Sequence, residues 1–462
     1  MLKIGWSSRD ITPSRPALLQ GQMHVRVARD ALDPLTVAAL ALDGGAPDSR
    51  AILLSFDFPF ITPALRDQVC SLASARIPDK PAPTMIMLAT HTHAAYVIKD
   101  GFYPHPGGDV MTADECLALA ARGAADAAVE AWTNRAPGVV GRAFGHAVVG
   151  HNRRAVYADG SAQMYGKTNR PDFMMIEGCE DHSVDMLFTW DERRRLRGLG
   201  LVIPCPAQVD EGISRYSADY WHEVRVELRR RFGSDLFVLP MCGAAGDQSP
   251  HFLLYAREEA EMRRRRGLTE RQEIAQRIGD AVERAAACTR PGAPGDERFA
   301  VLSRRLGLTR LKVTRKQRDW AETARKEALA GGRDPNSWWP ARLQHVVDMF
   351  DKPGAAGPFQ IEINAVRIGD AGLVTNPFEL FLDYGFRIKA RSPAAQTLVA
   401  QLSGGVVGEH LPMDGGVGWY LPTARALEGG HYSAMPAVAC VGPEGGQELV
   451  EASLAVLDAL FK

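Results

Sequence analysis

The sequence predicts a mixed α/β protein, with mixed β-sheets flanked by helices, on three observations. Short apolar runs bounded by Gly, Pro or Asp recur at 51–56, 85–89, 199–204, 236–240, 361–368 and 372–374, several of them of full strand length. The segments between them carry apolar residues at helical spacing, so strands and helices alternate along the chain. A chain of 462 residues with 46% hydrophobic content can also bury a large core. Length alone allows roughly three domains at about 150 residues each, yet no linker, internal repeat or low-complexity tract divides the sequence.

The first run, 51–56, ends at Asp57, which could hydrogen-bond a ligand histidine or be an ordinary strand-end aspartate. The second ends at Thr90-His91-Thr92-His93. In an extended segment His91 and His93 share one face, whereas a turn at a strand end can aim them differently. One imidazole could then hold a metal while the other handles protons; the plain alternative is two hydrogen-bonded loop histidines.

The third run leads into Cys205-Pro206-Ala207-Gln208, followed by Ser217-Ala218-Asp219. A thiol at a strand end is buried packing, a metal ligand or a nucleophile. The fourth leads into Met241-Cys242-Gly243-Ala244-Ala245-Gly246-Asp247-Gln248-Ser249-Pro250-His251, whose small residues allow close backbone approach and could free N–H groups for an oxyanion.

Thr269 and Gln272 predict a capping box ahead of Ile274, Ile278 and Val282, which share one helix face. The stretch 311–330 reads as a charged, exposed helix stopped at Gly331-Gly332, with a loop through Pro335 and Pro340 after it; the 311–340 segment is an insertion or part of a lid. Beyond the last run, Thr375-Asn376-Pro377-Phe378-Glu379 presents a carboxylate, and Tyr420 and Tyr432 stand twelve residues apart. Several runs thus end in residues that can do chemistry, which is where open α/β sheets bind ligands.

Charge narrows the partners. With 54 basic against 55 acidic residues and a net charge of -1, no global field favours nucleic acid or anionic lipid. The arginines at 263–266 stand beside Glu258, Glu259 and Glu261, as on a solvated helix face. Seven scattered cysteines without a CxxC pair suit a reducing compartment. The N-terminus lacks the pattern of a secretory leader, and no segment approaches 18 uninterrupted apolar residues. The expectation is a soluble cytoplasmic protein, bacterial in style, with no nucleic-acid partner and no integral membrane segment. His24, His146 and His345 match no motif, while His222, on the helix expected after Asp219, and His251 could replace a ligand if Cys205 does not bind.

Taken in order, these segments resemble the neutral/alkaline non-lysosomal ceramidase family, specifically its N-terminal catalytic domain. The likeness runs from the opening Gly5-Trp6-Ser7-Ser8-Arg9-Asp10-Ile11-Thr12 to Tyr432. Its specific parts are Thr90-His91-Thr92-His93 and Gly246-Asp247-Gln248-Ser249-Pro250. The resemblance implies one catalytic domain over 1–462, without the family's C-terminal immunoglobulin-like domain. It further implies a Zn2+ ion, with His91, Glu379 and Tyr420 as ligands and Cys205 in the place of the second zinc histidine. His93, Arg153 of the Asn152-Arg153 pair, Ser249 and Tyr432 match the catalytic positions. Departures border the substrate: Ala94-Ala95-Tyr96 follows the histidine pair, and His251 replaces the asparagine that ends the Gly-Asp-x-Ser-Pro signature.

The function these residues imply is zinc-dependent hydrolysis of an amide bond in a small-molecule or lipid-like N-acyl amine, with water activated on the ion attacking the carbonyl. In that scheme His93 delivers a proton to the leaving amine, Arg153 and Tyr432 stabilise the oxyanion, and Ser249 orients water or carbonyl. A metal-independent hydrolase with Cys205 as nucleophile and His93 as base is the first alternative. A non-catalytic descendant that binds a ligand in the old crevice is the second.

Overall fold

Eight strands form the larger sheet, in the order Phe237–Cys242, Leu196–Ile203, Ser183–Asp191, Ala136–His146, Lys3–Asp10, Thr36–Asp43, Arg50–Phe56 and Thr84–Ala89. The structure is a computed structural model and describes residues 2–291, 298–335, 337–355, 357–407 and 417–462. The two outermost pairs are parallel and the middle of the sheet is antiparallel. The parallel strands are buried on both faces, which is why they read as unbroken apolar runs. The sheet curls so that its ends approach, and Ser55 Oγ donates to the Pro240 carbonyl across the interior.

A second sheet, Phe299–Leu308, Phe359–Ile368, Ala371–Thr375 and Gln396–Ala400, lies against the concave face of the first. Leu40, Leu53, Leu88, Leu239, Val366 and Leu398 meet in the core between them. Helices cover the remaining faces. Pro63–Arg76 and Ala113–Thr133 flank one side, Tyr220–Phe232 and Glu270–Cys288 another, and Leu382–Arg391 with Pro443–Phe461 covers the smaller sheet. The result is the predicted α/β arrangement of mixed sheets flanked by helices.

Local chemistry explains the helix limits. Thr269 caps Glu270–Cys288 by accepting from Gln272 N, and the Gln272 side chain returns a bond to Thr269 N, as the capping box predicts. Ile274, Ile278 and Val282 are buried along that helix. The charged helix runs Arg315–Ala330, with only Ala321 buried, and Ala256–Arg266 carries the arginine run on a helix with no buried residue.

Asp57 proves structural: its carboxylate accepts two bonds from Arg225 at 2.9 Å and one each from Thr36 N and Oγ1 at 2.8 Å. That network leaves no role for it beneath His91. Among the described residues, no helix is long and apolar enough to cross a membrane.

The site follows from where the parallel strands stop. Ala207 N donates to Thr90 O, Gln401 N to Cys242 O and Gly404 N to Met87 O, at 2.9–3.2 Å. These bonds tie the ends of four strands from two sheets into one crevice, so residues more than 300 positions apart share it.

Candidate active site

The histidine pair separates because the strand ends at Ala89 and His91 turns into the left-handed region, with φ 66°. The two rings stand 4.9 Å apart and 70° from coplanar, so they face different partners. His91 Nδ1 lies 2.6 Å from the Pro59 carbonyl, an acceptor only, and therefore carries the ring proton. In the neutral ring the Nε2 lone pair then points at Glu379 Oε2, 3.2 Å away.

His93 Nε2 lies 2.8 Å from Gln208 Nε2, which donates to it. Its Nδ1 faces Glu211 Oε2 at 3.5 Å, an ion-pair distance too poorly aligned for a hydrogen bond. Burial lowers the His93 pKa, Glu211 opposes that effect, and neighbouring His91 adds to it.

Gly21 backs the ring with φ 111°, and a Cβ there would stand 2.4 Å from His93 Cγ. Gly21→Ala is therefore expected to push His93 off Gln208 and shift the His93 ring resonances. An unchanged His93 spectrum in the folded variant would contradict that role.

Glu379 and Tyr420, distant in sequence, are direct partners in a short parallel pairing of Glu379–Leu380 with Tyr420–Leu421. Register alone sets the two residues side by side, which brings the Tyr420 phenol next to the Glu379 carboxylate. Burial would raise the Glu379 pKa, but His91, Arg153 and Tyr420 together hold it below the usual range. Tyr432 packs edge-on against Tyr420 with ring centroids 5.7 Å apart. Burial and the Glu379 charge keep both phenols protonated well beyond their ordinary range.

Arg153 enters from a third direction. His151–Asn152 pairs with Gln248–Ser249, and Arg153 N donates to Asp247 O, so the Asn-Arg pair is sewn to the Gly-Asp-x-Ser-Pro turn. Gly246 in that turn approaches the Glu379 backbone so closely that a Cβ would lie 2.3 Å from its carbonyl oxygen.

The Arg153 guanidinium is 2% exposed and donates to Gly246 O at 2.9 Å and Tyr420 Oη at 3.2 Å. It also reaches Tyr165 Oη at 3.4 Å and Gln208 Oε1 at 3.5 Å. Ser249 does not line the cavity; its Oγ lies 3.1 Å from Tyr165 Oη and acts on the site through that phenol.

Cys205 does not join the other expected ligands. It is 0% exposed, its Sγ donates weakly to Pro206 O at 3.5 Å, and it packs with Val149, Ala207 and Tyr220 in the helix-covered core. Burial raises its pKa far above that of an ordinary thiol, which disfavours the thiolate that a nucleophile requires. The cavity wall is completed instead by Gln208, three residues on.

Asp219 holds that loop in place, accepting from Val209 N at 3.1 Å and Asp210 N at 2.7 Å. His251 faces Glu211, with Nε2 3.7 Å from Oε1, and His222 does not line the cavity. Sequence reasoning assigned no role to Gln208, Glu211, Tyr165 or Gly21. The signal for Gln208 was a polar side chain just past an apolar strand.

Together these groups line a cavity of about 780 Å³. His91, His93, Arg153, Glu379, Tyr420 and Tyr432 cluster at its polar end. Phe60, Phe102, Trp338, Trp339 and Trp419 form its apolar walls. Trp338 and Trp339 open the helix Trp338–Asp351, so the segment that follows the charged helix is part of the cavity wall.

Among the described residues, no three His, Cys, Asp or Glu side chains converge as a metal cage. The converging donors are an imidazole, a carboxylate and a phenol, and catalytic zinc is commonly held by three protein groups. The His91–Glu379 separation of 3.2 Å matches the edge of about 3.3 Å expected between two ligands of one tetrahedral zinc ion. His91, Glu379 and Tyr420 are chemically suited to hold an ion, whereas Cys205 does not line the cavity with them.

Fold and site define an α/β protein with an aromatic-walled cavity whose polar end joins two imidazoles, a carboxylate, two phenols and a buried guanidinium. The molecule has the neutral ceramidase fold. It superimposes on neutral ceramidase from Pseudomonas aeruginosa with a TM-score of 0.69 at 15% identity, covering 99% of this chain and 75% of that one. A ceramidase complexed with C2 matches with a TM-score of 0.67 at 14% identity, over 99% and 75% of the two chains. No family model and no curated protein sequence matches the chain.

Proposed function

We propose that the protein is a zinc-dependent hydrolase that cleaves the amide bond of an N-acyl amine, with His91, Glu379 and Tyr420 holding the ion. The observation that carries this reading is His91 Nε2 facing a Glu379 carboxylate oxygen 3.2 Å away with Tyr420 paired beside it, a contact that takes either a proton or a metal cation between the two atoms. When bound, zinc polarises the scissile carbonyl and brings the pKa of a water from about 15.7 toward about 7.

The chain's own residues do the rest. Arg153, anchored on Gly246 O, presents a fixed positive charge beside Tyr420 where the oxyanion develops, and one such donor is worth roughly 3 kcal/mol. Tyr432, packed edge-on against Tyr420, supplies a second, neutral donor. His93, freed from Gln208 by the substrate, takes up at Nε2 the proton that the attacking water loses and hands it to the leaving amine. Glu211 beside Nδ1 stabilises the charged ring before transfer. Ser249 fixes Tyr165, which steadies Arg153. The aromatic walls take the apolar part of the substrate and exclude water, as suits a small-molecule or lipid-like amide.

The test is turnover of a panel of N-acyl amides, lactams and esters by the purified protein, before and after chelation. Amide hydrolysis should disappear on chelation and return with zinc. Undiminished turnover by metal-stripped protein, or no turnover of any panel member by zinc-loaded protein, would sink the proposal.

A further inference from the structure

We infer that the metal site is free of thiol: the ion is held by His91, Glu379 and Tyr420 alone, and Gln208 fills the remaining side as the positioning residue of His93. This inference rests on the metal reading above and deepens it. Two groups stand at the loop where a fourth ligand would be expected, and the structure separates them. Cys205 lies behind the wall, packed against Gly150, where a Cβ would sit 3.2 Å from its own Cβ. Its thiol is occupied by Pro206 O, and its backbone carbonyl takes bonds from Tyr220 Oη at 2.8 Å and Cys242 Sγ at 3.5 Å. The segment is thus held from both sides, and turning the thiol into the cavity would require rebuilding that packing.

Gln208 does line the cavity and is 1% exposed, but both ends of its amide are engaged. Nε2 donates to His93 Nε2 at 2.8 Å and Oε1 faces Arg153 Nη1 at 3.5 Å, so the amide oxygen turns toward a cation rather than toward Glu379. That bond also fixes the tautomer, because a ring that accepts at Nε2 carries its proton at Nδ1, toward Glu211.

One nitrogen and two oxygens make a borderline-to-hard donor set. It suits zinc, cobalt(II), manganese(II) or iron(II) and lacks the soft ligand that would favour copper(I). Binding should therefore be indifferent to thiol oxidation or alkylation.

Cobalt(II) substitution of the protein tests this without reference to activity. Bound metal per chain, the dissociation constant by chelator competition and the cobalt absorption spectrum are read for the parent, Cys205→Ser, Gln208→Ala and Glu379→Gln. The parent spectrum should lack a thiolate-to-cobalt charge-transfer band. Cys205→Ser and Gln208→Ala should bind within about twofold of the parent, and Glu379→Gln should lose affinity on the order of 100-fold or more.

A charge-transfer band in the parent overturns the inference alone, as does a tenfold weaker dissociation constant in folded Cys205→Ser or Gln208→Ala. Absence of bound ion in the parent overturns the metal reading with it. If Cys205→Ser does not fold, the parent spectrum decides.

Discussion

Replacing His91 by alanine is expected to remove both the bound ion and catalysis while leaving the fold intact. His91 supplies the only imidazole of the three-donor set, and its Nδ1 bond to Pro59 O locks the ring in the orientation that ligation needs. The loss in kcat/KM should be at least the roughly 10²–10³-fold that follows removal of a single transition-state donor. Stability should change less, because the ring is buried at a loop rather than in a packed core, and the truncated site can admit water. Elemental analysis, circular dichroism and turnover on one preparation check all three statements. A folded variant that keeps one ion per chain, or more than a tenth of parental activity, would contradict the assignment of His91.

The largest expected loss of stability lies one residue from Arg153, the arginine that lines the cavity. Arg154 is fully buried and forms a two-pronged pair with Glu177, at 2.6 and 3.1 Å. Its remaining donors go to Ala426 O, Gly430 O, Tyr432 O and Ser433 Oγ, at 2.8–3.3 Å. His431 and Ser433 in that loop sit at φ 70° and 73°, conformations that side chains other than glycine rarely adopt unless held. Arg154 thus carries the loop that delivers Tyr432 to the cavity.

Arg154→Met would leave the Glu177 carboxylate buried without its partner and Gly430 O, Tyr432 O and Ser433 Oγ without this donor, at an expected cost of about 3–5 kcal/mol. Urea unfolding measures it, and a change below about 1 kcal/mol would contradict the account. Arg154→Lys should recover little, since one ammonium cannot span the carboxylate and the loop carbonyls together.

Residues whose position is set by strand chemistry were legible in the sequence. His91, His93, Glu379 and Tyr420 each follow or join a short strand, and the pairing of Glu379 with Tyr420 turns two distant segments into neighbours. The spacing from Ser217-Ala218-Asp219 also located Cys205, but spacing along a chain does not fix which way a side chain turns at a strand end. Its thiol points into the core.

Gln208 and Glu211 escaped notice because they lie in an irregular loop whose path depends on backbone bonds to Asp219, a tertiary constraint with no local periodicity. Arg154 could have been found: side chains alternate faces along a strand, so an Arg153 that points into the cavity sends its neighbour to the other side. The helix at Arg315–Ala330 was legible from its charges and its stop at paired glycines, yet nothing local revealed that Trp338 and Trp339 beyond it would wall the cavity.

The central claim is that one metal ion sits between His91, Glu379 and Tyr420. Anomalous diffraction from crystals of the zinc-loaded protein, collected on both sides of the zinc edge, tests it most directly. The account predicts one strong peak in the cavity at about 2.0–2.2 Å from His91 Nε2, a Glu379 carboxylate oxygen and Tyr420 Oη, with Cys205 Sγ outside bonding distance. No peak there, or a peak bonded to Cys205 Sγ, would contradict it.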